Sequence, residues 1–455
     1  MKKYSRYSLL LIFIIVLFSM INHNTWAKVP ILRVGILLDC KEITISSEKK
    51  LNIHEIPSMK MLFVQEKVHP LKINAETHSI KVNNQQYPSI EGIKIIPEEG
   101  GLIQVGERKY RGEIEIVNNQ GSFNVINIIE IEEYLYGVLK KEISPEWPED
   151  VLKAQAIAAR TFALFNINKY IDQGYNICAT TNSQAYGGVY HEHPATNKAV
   201  NDTRGIIITY EGEPINAVYH SDSGGYTENS EDVWGGYIPY LRSVPSDYEN
   251  NLSPPNHSWD CFITEQELLS KLDRQGFQIT RIIDIVIAEK TESGRVKSVE
   301  IIGDNNQKIT LKTNDFRLLI GPTLIRSSLF EIDKIGEKEE EIIPDNGKPD
   351  IPEQEIETSQ KPVREILKEK KDFSISELIN LLNRPREEKE PEKVSLPETE
   401  ENHKSGDIIF AFIGQGNGHG VGLSQWGAHG MAAQGHNYED ILKYYYQGIR
   451  LTKLY

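Results

Sequence analysis

Apolar and polar residues alternate along the first third of the chain. From residue 31 to about 130, Val and Ile recur at every second position, and clusters such as Glu98-Glu99-Gly100-Gly101 and Asn118-Asn119-Gln120-Gly121 interrupt them. Period-two patterning bounded by turn residues predicts β-strands, of which Ser122–Ile129 is the clearest. The period then lengthens. Leu135, Val138 and Leu139 share one face of a helix over Glu132–Glu142. Ser144-Pro145 and Trp147-Pro148 stop it, because the residue before a proline is pushed out of the α region. A second helix opens at Glu149-Asp150, acids suited to the positive end of a helix dipole. It continues through the Ala-rich stretch Ala154–Ala163 to about Lys169.

Beyond Gly174 the pattern weakens into loops and short strands as far as Cys261. A short helix over Glu265–Arg274 and strands such as Val296–Ile302 come next. Residues 333 to 404 are rich in Glu, Lys and Pro and poor in aromatics, which predicts a solvated, disordered insert with one helix candidate, Ser376–Asn383. Globular patterning then returns: a strand over Ile408–Ile413, a glycine-rich turn and helical segments. The expected fold class is α+β, a mixed, β-rich domain with a central helical pair, preceded by a β-rich N-terminal region. The expected segments are 1–27, 28–107, 108–332, 333–404 and 405–455.

Charge narrows the partners. Asp and Glu number 65 against 50 Lys and Arg, a net charge of -15. Affinity for nucleic acid comes from cations at phosphates, so nucleic acid is set aside. Three cysteines, Cys40, Cys178 and Cys261, define no disulfide framework. Lys2, Lys3 and Arg6 precede the apolar run Leu9–Met20, the layout of an export signal. That run is shorter than the roughly 20 residues of a membrane span, and a cleaved signal peptide and an uncleaved anchor both fit it. Either places the chain outside the cytoplasm.

Candidate chemistry centres on Glu142. It follows Leu135, Val138 and Leu139 at helical spacing, so its side chain is expected on their apolar face. A carboxyl held by apolar neighbours keeps its proton towards neutrality, as a general acid requires. Arg160, among small residues of the second helix, needs an acceptor: Glu142, a substrate oxygen, or another carboxylate in a structural ion pair. The tail Gly414–Gly427 has glycines at neither the dinucleotide-binding offsets nor those of a serine-hydrolase elbow. It permits close backbone approach, with His419, Gln425 and Trp426 as side chains for a sugar. His191-Glu192-His193 lacks metal-ligand spacing, so no metal and no cofactor are expected.

Several stretches together resemble the SpoIID/LytB family of peptidoglycan-acting proteins. They are Glu132–Val138 leading to Glu142–Pro148, Leu152–Thr161, Gln184-Ala185-Tyr186, Tyr219–Gly225, Tyr240–Val244 and Gly418–Ala428. The resemblance implies a lytic transglycosylase acting on glycan strands, with Glu142 at the family's catalytic glutamate and Arg160 at a functionally important arginine. It also implies a groove role for Gln184, His220, Ser221, Ser223 and Asp247, and Tyr186, His419 and Gln425 are expected to bind substrate with them. Some relatives bind zinc near the position of Cys178. Asn182 and Ser183 occupy that stretch here, and no zinc is expected. Two alternatives remain: a glycan-binding enhancer of a separate wall amidase, and a scaffold among other sporulation-complex proteins.

Overall fold

A computed structural model describes residues 28–335 and 408–455, apart from 67, 68, 78, 89, 120, 250, 251, 253, 305 and 306. The export signal and nearly all of the insert, including Ser376–Asn383, lie outside the described residues. Two compact units emerge: residues up to Tyr219 together with Ala428–Tyr455, and His220–Gly427. The fold class is α+β and strand-rich, with eight α-helices among the described residues.

In the first unit the alternating segments form two sheets. Ser122–Glu130 pairs antiparallel with Glu113–Asn119 on one side and Ile31–Cys40 on the other. Gly92–Pro97, Leu51–Ile56 and Met61–Gln65 extend this sheet, and Ile177–Cys178 joins its far edge in parallel. The second sheet runs from Arg108–Tyr110 to Gln85–Pro88 in six strands. Every second residue is buried: Ile93 and Ile95, Ile114 and Ile116, Ile45, Ile73 and Ile80. These side chains share one core with Leu135, Val138, Ala156 and Ala159 of the helical pair. Residues 28–107 thus contribute strands to both sheets, and Ile31–Cys40, Leu51–Ile56, Met61–Gln65 and Gly92–Pro97 share one with Ser122–Glu130.

The pair consists of α1 (Ile131–Glu142) and α2 (Glu149–Phe165). Gly137 of α1 lies against Tyr186: a Cβ there would come within 2.6 Å of the ring. The helix α2 stops short of Lys169 because Asn166 turns back, its backbone N–H and its side-chain amide both donating to the Phe162 carbonyl. Trp147, in the turn between the helices, stacks on His429 with ring centroids 4.8 Å apart. The sequence pattern gave no sign of the helix Pro194–Asp202, whose apolar residues are few. His193 caps it, its Nδ1 accepting from the Ala195 amide.

The second unit has two three-stranded sheets. In one, Ile409–Gln415 is central, between Ser258–Thr264 and Leu329–Ile335. The segment after the insert therefore completes a sheet begun before it, with Ile335 paired to Ile409. Asp333–Ile335, assigned to the insert from composition, belong to a strand. Ile282–Lys290, Val296–Gly303 and Lys308–Lys312 form the other sheet, accompanied by helices Glu265–Arg274 and Thr313–Ile320. Phe316, Phe330, Phe410, Phe412 and Trp259 form the aromatic centre of this core.

Candidate active site

The helix α1 carries an acid at each end of its buried face, Glu132 and Glu142, and the two meet different fates. Glu142 is half-buried in the last turn. Its Oε1 accepts the Ala185 backbone N–H at 3.4 Å, and the Tyr219 hydroxyl hydrogen-bonds the same carboxylate. Burial raises its pKa above the ordinary glutamate range, while these two donors and Lys141 pull it down by less.

Tyr219 is aimed by Gln184. The Tyr134 hydroxyl donates to Gln184 Oε1 at 3.2 Å. Gln184 Nε2 donates to the Ala159 carbonyl at 3.2 Å and to the Tyr219 oxygen at 3.1 Å. With both amide protons engaged and its oxygen accepting from a tyrosine, Gln184 is fixed. The Tyr219 oxygen accepts from it, so the Tyr219 proton is left for Glu142. Gln184 therefore stands behind the carboxylate, buried, and not in an open groove. Tyr186 is a core residue as well: its hydroxyl donates to Asn127 Oδ1 at 2.9 Å and its ring packs on Tyr134.

Arg160 does not pair with Glu142. Fully buried, its Nε and Nη2 donate to the two oxygens of Glu132 at 2.9 and 2.7 Å. Its remaining protons reach the carbonyls of Ile206 and Val200. The Gly205 amide and the Tyr455 hydroxyl also donate to Glu132. The cation thus neutralises the acid at the start of α1, whereas the acid at its end has no salt bridge among the described residues and feels Lys141 only at a distance.

The other expected site residues belong to the second unit. His220 is buried, and its Nδ1 lies 3.1 Å from the Val421 carbonyl. A carbonyl only accepts, so Nδ1 carries the proton; burial holds the ring pKa well below that of a free histidine. Ser223 is also buried, its hydroxyl donating to Glu249. The Ser221 carbonyl accepts the Trp426 amide, and Gln425, at the start of the helix Gln425–Ala433, is nearly enclosed. His419 keeps part of its surface, its ring 5.3 Å from that of Trp234.

Asp247 is exposed on the turn Asp247–Glu249, whose buried acid is Glu249. Glu249 accepts from the hydroxyls of Ser223 and Ser424 and from the Gly225 amide. Sequence reasoning passed over it, together with Tyr219, Tyr134 and Glu132. The tail glycines make the close approach expected of them, but to protein: a Cβ on Gly418 would strike His220, and one on Gly420 would strike Arg295. Among the described residues no His, Cys, Asp and Glu cluster is arranged to hold a metal. Glu192 instead pairs with Arg111.

Residues 119–210, which contain α1, Glu142, Arg160 and Gln184, match the family model described as Stage II sporulation protein. The chain carries a SpoIID domain. An uncharacterised protein of Brachyspira hyodysenteriae is 29% identical to it over 80% of this chain and 77% of its own length. The Stage II sporulation protein D of Bacillus subtilis is 28% identical over 71% of the chain and 75% of its own length. The Amidase enhancer of the same organism is 27% identical over 70% of the chain, a match spanning 40% of that protein.

Within the SpoIID domain, Glu142 is an acid whose proton burial retains and whose orientation Tyr219 and Ala185 fix. Tyr219→Phe deletes a donor that favours the charged form, so the Glu142 pKa should rise further. Any activity that needs the protonated acid would then extend to higher pH, by up to about one unit. A pH–rate profile that does not move, or moves to acid, would contradict this arrangement.

Proposed function

We propose that this chain is a peptidoglycan lytic transglycosylase working outside the cytoplasm in sporulation or wall remodelling. The single observation carrying this reading is a half-buried Glu142 with a raised pKa inside the stretch matching the SpoIID model. Glu142 gives its proton to the oxygen linking N-acetylmuramic acid to N-acetylglucosamine. The resulting carboxylate takes the proton of the muramic 6-hydroxyl as that oxygen attacks the anomeric carbon. The C–O bond to the leaving sugar breaks and a 1,6-anhydro ring closes. No water enters, so one acid that returns to its starting state suffices, in contrast to the paired carboxylates of ordinary glycosidases. Arg160 acts through Glu132, holding α1 and α2 together so that Glu142 keeps its position.

Mass spectrometry of digested, peptide-free glycan strands tests this. The new ends should be 1,6-anhydro-muramic, one water lighter than the products of hydrolysis. Reducing ends would instead indicate a hydrolase. The relative named Amidase enhancer favours a second reading, in which the chain binds glycan and assists a wall amidase. Binding with no new ends of either kind, together with faster amidase turnover, would support it.

A further inference from the structure

The second unit contains a cleft lined by Arg295, Lys297, Lys312 and Arg317, against two carboxylates, Glu228 and Asp232. The acids are already engaged. Glu228 Oε2 accepts from the hydroxyls of Thr291 and Ser293, at 2.6 and 2.5 Å. Asp232 lies 3.5 Å from Lys297.

Three of the cations have no such partner. Arg317 donates its Nε and Nη2 to the carbonyls of Ile325 and Arg326, both at 2.8 Å. Arg295 is 1% exposed, and its Nη groups donate to Ser328 and to the backbone oxygens of Ser223 and Tyr226. Its Nε, also buried, has no acceptor. Among the described residues no carboxylate lies within ion-pair distance of Arg295, Arg317 or Lys312. Arg295 feels Glu228, Glu249 and Asp222 through space, whereas burial and Arg295 together bring the Arg317 pKa down to about 10, so it is Arg317 that stands without a nearby anion.

The helix Thr313–Ile320 begins at the same place. Thr313 and Asn314 line the cleft, and the preceding residue, Lys312, supplies no side-chain cap. The positive end of the helix therefore adds to the field. Accessible space is small, about 20 Å³, room for a group the size of one or two water molecules.

We propose that this cleft binds a carboxylate, a small monoanion received by the Arg295 and Arg317 guanidiniums, the Lys312 ammonium and the first turn of Thr313–Ile320. The narrow space favours a carboxylate over a phosphate. The inference rests on the second unit alone and stands apart from the chemistry of Glu142.

Ligand-observed NMR on the full chain tests it, with sodium acetate, N-acetylmuramic acid, N-acetylglucosamine and inorganic phosphate as probes. Acetate and N-acetylmuramic acid, which carries a carboxylate on its lactyl group, should compete for one site, and N-acetylglucosamine should not bind there. Lys312→Gln should weaken acetate about three- to fivefold, the effect of one partly screened charge. The Lys312 side chain is exposed, so this variant should fold normally. Arg317→Gln should lose binding altogether. Unchanged affinity in Lys312→Gln, or phosphate bound more tightly than acetate, would overturn the proposal.

Discussion

Glu142→Gln is expected to lower the turnover of peptide-free glycan strands by roughly 10²–10⁴-fold, the share a positioned general acid contributes. Glutamine keeps the shape and can still accept from Tyr219 and Ala185, so binding of the strands should change little. The loss should therefore fall on kcat and not on KM. Under the proposed mechanism the acid must be protonated to act, so the rate should decline as pH rises through its raised pKa. Stability moves in the same direction. A carboxyl whose folded pKa exceeds its unfolded value contributes stability that is complete below the unfolded pKa and lost as pH rises through the folded one. Glu142→Gln removes that dependence, so the variant should gain on the parent above this window in urea titrations. Equal turnover by both proteins would remove Glu142 from the reaction.

Arg160→Met should be the most destabilising single change, at about 3–5 kcal/mol in urea unfolding near neutral pH, because it leaves Glu132 buried without its cation. Adding Glu132→Gln removes the buried charge and should restore much of the lost stability. The double variant also separates two roles for Arg160. If turnover returns along with stability, the arginine acts by positioning α1. If stability returns and turnover does not, the guanidinium has a direct part in the reaction. A loss below about 1 kcal/mol in Arg160→Met would mean that the pair with Glu132 contributes little.

Most of the fold was legible because its signals are local. The change of period near residue 130 marks the start of α1, and Glu265–Arg274 is a helix over its expected range. Glu142 was legible through its spacing from Leu135, Val138 and Leu139. The same spacing extends back to Glu132, three residues before Leu135, which puts a second acid on the buried face. Nothing local links it to Arg160, its mate 28 residues away on another helix. Tyr219 could not be found by periodicity at all, since it reaches Glu142 from across the fold with Gln184 as intermediary. The residues expected in a groove illustrate a related limit. His220, Ser223, Gln184 and Tyr186 sit among polar and glycine-rich neighbours, as binding residues do, yet their hydrogen bonds turn inward.

Ile335 and Ile409 face one another across adjacent strands, so the chain departs from and rejoins the second unit at the rim of a single antiparallel ladder. Whatever conformation it adopts in between, the two strands meet in the same register. The length of the excursion enters their stability only through the entropy of closing a loop, about 0.6 kcal/mol for each doubling. This hairpin end is accordingly a natural mounting point, where a lineage could lengthen, trim or exchange the charged segment for a binding module while the phenylalanine core beneath kept its packing.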